Sequence, residues 1–234
     1  MYWEYYLMGI ILLPGIIFSA WAQIRVNNAF SKYQKILSSS GLTGEQLSKK
    51  ILQQKNISNV QIVQTSGRLS DNFNPRTKVL SLSPEVYQGN TISSLGVAAH
   101  ECGHVIQQAE NYAPMKIRNF FAVACNISNT LLWPIIFLGL ILGVGAQTRY
   151  GMIFLYIGVV FFGLSVLFSL ITLPIELNAS KRALKCLQET NALDATELVG
   201  AKEVLNAAAL TYVAGLLISI LNLLRFVLVV KDRE

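Results

Sequence analysis

Four long apolar runs set the strongest limit on the folds open to this chain. They cover residues 5–24, 120–147, 152–173 and 207–230. A helix needs about 20 mostly apolar residues to cross the hydrocarbon core of a bilayer, and each run meets that length. Charged residues make up only 14% of the chain, against about a quarter in a typical soluble domain. The pattern predicts a mainly α-helical integral membrane protein with about four transmembrane helices.

The first run also has to be compared with a secretory signal peptide. A signal peptide begins with basic residues, has a shorter apolar core and ends at a small-residue cleavage site. Here Glu4 precedes the run, and the sequence shows neither a basic residue before it nor such a cleavage site after it. We therefore predict a retained transmembrane anchor at 1–24.

The polar residues after this anchor predict a small α+β segment. Thr43 and Gln46 have the spacing of a capping box, so a helix is expected to begin just after Thr43. Short β-prone runs at 60–65 and 77–83, joined by a polar stretch with glycine and proline, predict a hairpin with a long turn. A second helix is expected at about 91–110.

The basic residues predict which side of the membrane the polar segments occupy. If all four runs cross, nine basic residues near the span ends lie on the side of these segments and three on the other, which indicates the cytoplasm. The alternative is that 207–230 lines a cavity of the protein without crossing, which moves the carboxy terminus to the cytoplasm. The predicted parts are an anchor at 1–24, a cytoplasmic α+β segment at 25–119, a transmembrane hairpin at 120–173, a helical segment at 174–206 and a fourth apolar helix with a tail at 207–234. The nine residues are Arg25, Lys32, Lys35, Lys116, Arg118, Lys181, Arg182, Lys185 and Lys202, and the three are Arg149, Lys231 and Arg233.

Several classes of protein fit the sequence poorly. Three cysteines form no disulfide framework, and the basic residues form no cluster interleaved with aromatic residues, so no nucleic-acid partner is expected. A transporter or channel would carry ionisable groups within its spans, and the second and third runs contain none.

The stretch H-E-C-G-H at 100–104 indicates a metal site. His100 and His104 are four residues apart and share one face of the expected helix, with Glu101 beside them. In zincins, two such histidines bind zinc and the glutamate takes a proton from the water that attacks a carbonyl. The simpler interpretation is an amphipathic helix without chemistry. Against it, the chain has no other histidine, and small residues surround these two.

A catalytic zinc site needs a third protein ligand. Among the candidate carboxylates, Glu110 is too near on the same helix, and Glu85 and Asp71 lie in the preceding hairpin region. Glu176 is different, because a stripe of small residues follows it at +3, +4 and +7 and would let its helix pack closely against another. Pro174 suits the first turn of that helix. The alternative is a solvated glutamate at a membrane exit.

Three stretches together resemble a known family. H-E-C-G-H, then E-L-N-A-S-K-R-A after a transmembrane hairpin, then V-L-N-A-A-A-L-T-Y-V-A are similar to the YugP-type neutral zinc metallopeptidases of bacterial membranes. These look distantly related to the integral-membrane heat-shock and CAAX-processing proteases. The resemblance covers essentially the whole chain. It implies a gluzincin-like site with one zinc ion, His100, His104 and Glu176 as ligands, and Glu101 as general base.

The sequence departs from those distant relatives at one position. They carry an aspartate four residues after the ligand glutamate, where it orients a histidine, and this chain has Ser180 there. Asn178 or Ser180 is expected to supply that hydrogen bond. Tyr212, in the A-L-T-Y stretch, is the candidate for stabilising the oxyanion, with an interfacial tyrosine as the alternative.

The preferred interpretation is a membrane-embedded zinc endopeptidase in the cell membrane. Its active site would face the cytoplasm, and its substrates would be membrane-associated or misfolded polypeptides. Its partners are the polypeptide substrate and the lipid bilayer, with a partner membrane protein or a second copy of the chain left open. The alternative is a non-catalytic zinc-binding scaffold. Glu101 argues against it, because a structural zinc site has no use for a base beside the metal.

Overall fold

The computed structural model describes residues 9–142 and 149–231. These residues form two units. The mixed unit comprises 22–115 and 174–210, and the helical unit comprises the described parts of 1–21, 116–173 and 211–234. The elements are α1 (Leu13–Tyr33), α2 (Gly44–Gln54), β1 (Gln61–Gln64), β2 (Asn72–Asn74), β3 (Val79–Leu82), α3 (Pro84–Tyr87), α4 (Ile92–Ala109), α5 (Ala113–Leu140), α6 (Arg149–Glu189) and α7 (Ala195–Lys231).

Three helices in the described part of the chain are long and apolar enough to cross a membrane, namely Ala113–Leu140, Tyr150–Glu189 and Ala195–Lys231. Large apolar side chains lie exposed along them, as lipid contact requires, including Phe120, at 79% exposed, and Phe137, at 67%. The predicted anchor at 1–24 lies partly outside the described residues, and α1 is long enough for a span but its described residues are not apolar enough. The described residues therefore contain three of the four or so predicted spans.

The prediction that a new helix begins at Pro174 is wrong. Pro174 lies inside α6, which continues to Glu189. A proline within a helix removes one backbone hydrogen bond. Membrane helices tolerate this because neighbouring groups satisfy the carbonyl left without its donor. The segment predicted at 174–206 is thus the end of α6 and the beginning of α7.

The small sheet of the mixed unit has a different topology from the expected hairpin. Strands β1 and β3, which contain the two predicted β-prone runs, pair in parallel, with Gln61 opposite Val79. The connection between them contains β2, which pairs antiparallel with β3 and gives the order β1-β3-β2. The long polar connection thus supplies the antiparallel neighbour of β3, and β1 takes the other edge. Strand β2 is an edge of the sheet.

Local signals in the polar segment are confirmed. The Thr43 Oγ1 accepts a hydrogen bond from Gln46 N at 3.2 Å, and the Gln46 Oε1 accepts one from Thr43 N at 3.0 Å, so the capping box is complete. Helix α4 begins after Thr91, whose side chain caps it. Buried side chains from α2, β3, α4, α6 and α7 form one core, among them Leu47, Leu80, Leu187 and Ala201. This core holds α4 against the end of α6.

Candidate metal centre

Three side chains from two helices converge in the mixed unit. Helix α4 presents His100 and His104, and α6 presents Glu176. The Nε2 atoms of His100 and His104 lie 3.3 Å and 3.4 Å from the Glu176 Oε2. All three candidate ligand atoms lie within 4.8 Å of one another. The side chains are 14%, 12% and 5% exposed, so the group is largely shielded from water.

The close approach of α4 and α6 depends on small residues. A Cβ added at Gly103 would lie 2.6 Å from the carbonyl oxygen of Ala179, so the absence of a side chain there lets the two backbones meet. Ala179 and Ala183 are fully buried, and Ser180 is 9% exposed. The stripe after Glu176 therefore faces α4, and it places Glu176 one turn away at the two histidines.

Each histidine uses its second ring nitrogen for a hydrogen bond. The Ser180 Oγ lies 3.2 Å from the Nδ1 of His100, and the Gln107 Oε1 lies 3.0 Å from the Nδ1 of His104. Such contacts orient imidazole ligands and select the nitrogen left for a metal. In this structure both Nε2 atoms are left facing Glu176.

Asn178 forms its hydrogen bonds with Gln107 and Arg182. Its Oδ1 accepts hydrogen bonds from Gln107 Nε2 at 3.0 Å and from Arg182 Nε at 2.7 Å. Sequence reasoning did not single out Gln107, although it follows His104 by three residues and so shares its helix face. That spacing was the available signal.

Burial and charge act together on the titratable groups around the site. Burial raises the pKa of Glu101 above its ordinary value, while the charges of His100 and His104 oppose this. A raised pKa makes a carboxylate a stronger base near neutral pH. Burial alone would lower the pKa of His104. Hydrogen bonding to Glu176 and the charge of Glu101 outweigh it, so this pKa is raised.

The other carboxylates considered from the sequence have different partners. Asp71 accepts hydrogen bonds from the backbone N of Ser83 at 2.8 Å and from its hydroxyl at 3.0 and 3.1 Å, and burial raises its pKa. Glu85 accepts from Gln34 and pairs with Arg68. Glu110 pairs with Arg182 at 2.6 Å.

Tyr212 lies in α7 and is 38% exposed. It belongs to the helical unit, whereas the triad belongs to the mixed unit. Its role as an oxyanion donor stays a prediction.

The chemistry of the donor set fits a zinc ion. Two imidazole nitrogens and one carboxylate oxygen are the ligands of one class of catalytic zinc site, which keeps a fourth position open. Ligand atoms about 2 Å from a tetrahedral ion lie about 3.3 Å from each other. The two distances from Glu176 to the histidines, 3.3 Å and 3.4 Å, match that spacing.

The close helix approach predicts a specific defect for Gly103→Ala. The added methyl group must push α4 and α6 apart, and overpacking of this kind destabilises a fold by about 1–3 kcal/mol. The displacement also moves Glu176 from the histidines, so zinc affinity should fall. Chelator competition and thermal unfolding in detergent measure both quantities.

Gly96→Ala on the same helix is the matched control. Its added Cβ would lie 3.6 Å from the nearest atom, the Cβ of Ala201, which is an ordinary contact. Gly96→Ala should keep the zinc affinity of the wild type. Equal zinc affinity in Gly103→Ala and Gly96→Ala would contradict the role assigned to the close approach.

Comparison with known proteins identifies the family. A family model described as "Putative neutral zinc metallopeptidase" matches residues 8–231. The chain is 38% identical over 211 residues to a Bacillus subtilis (strain 168) protein named "Putative membrane protease YugP", covering 90% of this chain and 91% of that protein. No solved structure matches the chain. The chain therefore belongs to the neutral zinc metallopeptidase family.

Proposed function

We propose that this protein is a membrane-embedded, zinc-dependent endopeptidase. The observation that carries the proposal is the convergence of His100, His104 and Glu176, with the buried Glu101 on the same helix as the two histidines. Membership of the neutral zinc metallopeptidase family and the similarity to a protein named a membrane protease support the same chemistry.

His100, His104 and Glu176 would hold one zinc ion per chain through the two Nε2 atoms and a carboxylate oxygen. When bound there, zinc supplies Lewis-acid polarisation of a peptide carbonyl and of water. The side chains of these three ligands are largely shielded from water. Electrostatic interactions between them and a bound ion are therefore stronger than in water.

Glu101 acts as the general base. Its carboxylate accepts the proton of the attacking water and passes it to the nitrogen of the leaving amine. The base must lie within hydrogen-bond reach of that water, and its place immediately after His100 on α4 puts it beside the ligand pair. Ser180 and Gln107 keep the two imidazoles oriented during this transfer.

The substrate would be an extended segment of a membrane-associated or misfolded polypeptide. Strand β2 is an edge strand, so it has backbone groups available for pairing with an added strand. A cavity of about 330 Å³ lies beside it, and Phe73 of β2, Val105 of α4 and Lys78 are among its lining residues. Its size and partly apolar lining suit a large substrate side chain.

The alternative is a membrane scaffold that keeps zinc only for structure. Structural zinc sites usually have four protein ligands, whereas three candidate ligands converge here among the described residues. A structural site also has no use for Glu101.

The Glu101→Gln variant tests the proposed base. Glutamine keeps the shape of the side chain but cannot accept the proton, and loss of a general base slows a reaction by about 100- to 10,000-fold. We expect equal zinc content in both proteins and cleavage of an unfolded model protein by the wild type alone. Glu45→Gln makes the same chemical change on α2 and should leave cleavage unchanged. Equal cleavage by Glu101→Gln and the wild type would refute the assignment.

The Tyr212→Phe variant tests the proposed oxyanion donor. Loss of one such donor lowers kcat by about 100- to 1,000-fold, so kcat should fall while zinc content stays constant. Tyr156→Phe, at another partly exposed tyrosine on α6, is the control and should keep full activity. Normal kcat in Tyr212→Phe would indicate an interfacial tyrosine instead.

The proposal places the active site on the cytoplasmic side of a multi-pass protein in the cell membrane. Single cysteines introduced by Thr77→Cys and Thr148→Cys test this. Thr77 belongs to the segment assigned to the cytoplasm, and Thr148, which lies outside the described residues, falls between the second and third apolar runs of the sequence. The native cysteines are buried, and burial raises the pKa of Cys102 to about 12, which suppresses its reactivity. In intact cells, a membrane-impermeant maleimide should label Thr148→Cys only. Labelling of Thr77→Cys in intact cells would indicate the opposite topology, with the active site outside the cytoplasm.

A further inference from the structure

We propose that Gln107 is a positioning residue that fixes the direction of the His104 imidazole through a chain of hydrogen bonds beginning at Arg182. The inference rests on the proposed zinc site and deepens it. The amide and guanidinium groups of these side chains determine which ring nitrogen of His104 carries the proton.

The orientation of the Gln107 amide follows from its two neighbours on α6. Gln107 is fully buried. Its Nε2 donates to the backbone carbonyl oxygen of Ile175 at 2.8 Å and to the Asn178 Oδ1 at 3.0 Å. A carbonyl oxygen can only accept, so the NH₂ end of Gln107 must face Ile175. The Oε1 end is thereby directed to His104.

The orientation of Asn178 is fixed in the same way by Arg182. A guanidinium group can only donate, so the Asn178 atom that lies 2.7 Å from Arg182 Nε must be the oxygen. Arg182 is held in turn by an ion pair between its Nη1 and the Glu110 Oε2 at 2.6 Å. Neither amide can rotate by 180° without facing donor against donor or acceptor against acceptor.

The position of the proton on His104 follows from this series of hydrogen bonds. Gln107 Oε1 lies 3.0 Å from His104 Nδ1, and an amide oxygen only accepts, so Nδ1 must carry the hydrogen. In the neutral imidazole, Nε2 then keeps its lone pair. That Nε2 lies 3.4 Å from Glu176, on the side where the ion would bind. A partner of this kind also raises the basicity of a ligating imidazole.

The two histidines differ in this respect. The partner of His100 is the hydroxyl of Ser180, which can donate or accept. Ser180 orients the ring without selecting the tautomer. Gln107, with both ends of its amide committed, selects it. We therefore expect the loss of Gln107 to weaken zinc binding through His104.

Gln107 also joins α4 to α6, so a purely structural role is the competing explanation. Two variants separate the roles. Gln107→Met removes both the acceptor for His104 and the donor to Ile175. Gln107→Glu keeps an acceptor for His104, loses the donor to Ile175 and faces the Asn178 oxygen with a second acceptor. The structural role makes the glutamate variant the worse of the two, whereas the positioning role makes the methionine variant worse for zinc.

The experiment measures zinc affinity by chelator competition, and thermal stability, on the full-length protein in detergent. Gln107→Met should bind zinc about 10–100-fold more weakly, as is usual for the loss of such a partner. Gln107→Glu should bind zinc close to the wild-type level although it is less stable. Gln108→Met makes the same change at the exposed neighbouring position and should match the wild type.

Two results would overturn the proposal. One is an unchanged zinc affinity in Gln107→Met. The other is a parallel loss of affinity and stability in Gln107→Met and Gln107→Glu. If Gln107→Met does not fold, Asn178→Ala and Asn178→Asp test the proposal instead. Alanine removes the acceptor for Gln107 and Arg182, whereas aspartate keeps an acceptor there. If Asn178→Ala binds zinc more weakly and Asn178→Asp does not, the proposal is supported. Equal zinc affinity in the two variants contradicts it.

This test is independent of proteolysis. A wild-type protein that binds zinc and cleaves nothing would count against the proposed function and leave the comparison of the variants intact. A wild-type protein that binds no zinc would show the failure of the site itself before any variant is made.

Discussion

The candidate site depends on the close contact between the backbones of α4 and α6. Gly103 and Ala179 meet where a single added methyl group would lie 2.6 Å from a carbonyl oxygen. This contact brings Glu176, distant in sequence, to two histidines that the helix period has already placed on one face. The core around Leu47 and Leu187 contains buried side chains of both helices, and the Thr91 cap fixes the start of α4.

A second constraint is the burial of polar groups next to this contact. Buried polar atoms that lack partners destabilise a fold. The side chains of Ser180, Gln107 and Asn178 all have hydrogen-bond partners, and those bonds orient the two histidine rings. Ser180 and Gln107 each engage a histidine Nδ1, and Asn178 and Arg182 continue the hydrogen bonds to Glu110. The network stabilises the packing of α6 on α4 and also presents both Nε2 atoms to the same point. Packing and ligand geometry are therefore the same feature of the structure.

Local signals were the part of the fold that could be predicted. The capping box of Thr43 and Gln46, the helix at H-E-C-G-H and the small-residue stripe after Glu176 each depend on a few neighbouring residues. The pairing of β1 and β3 could not be predicted, because the β2 strand within the connection has only three residues and a weak pattern. The prediction of a helix start at Pro174 failed for a related reason. The effect of a proline on a helix depends on the groups that surround it.

The sequence by itself determined the helix period that aligns His100 with His104, the place of Glu101 between them and the apolar lengths of α5, α6 and α7. These properties are local, because they follow from residue types and spacing within one helix. Only the tertiary structure decided that Glu176 lies at the histidines while Asp71, Glu85 and Glu110 have other partners. It also decided which end of the Gln107 amide faces His104, because Ile175 and Asn178 of α6 accept hydrogen bonds from the other end. The contacts of Glu176 with His100 and of Gln107 with Ile175 join α4 to residues more than 60 positions away. The packed distance between the two helices, which no local pattern encodes, sets which of these side chains meet.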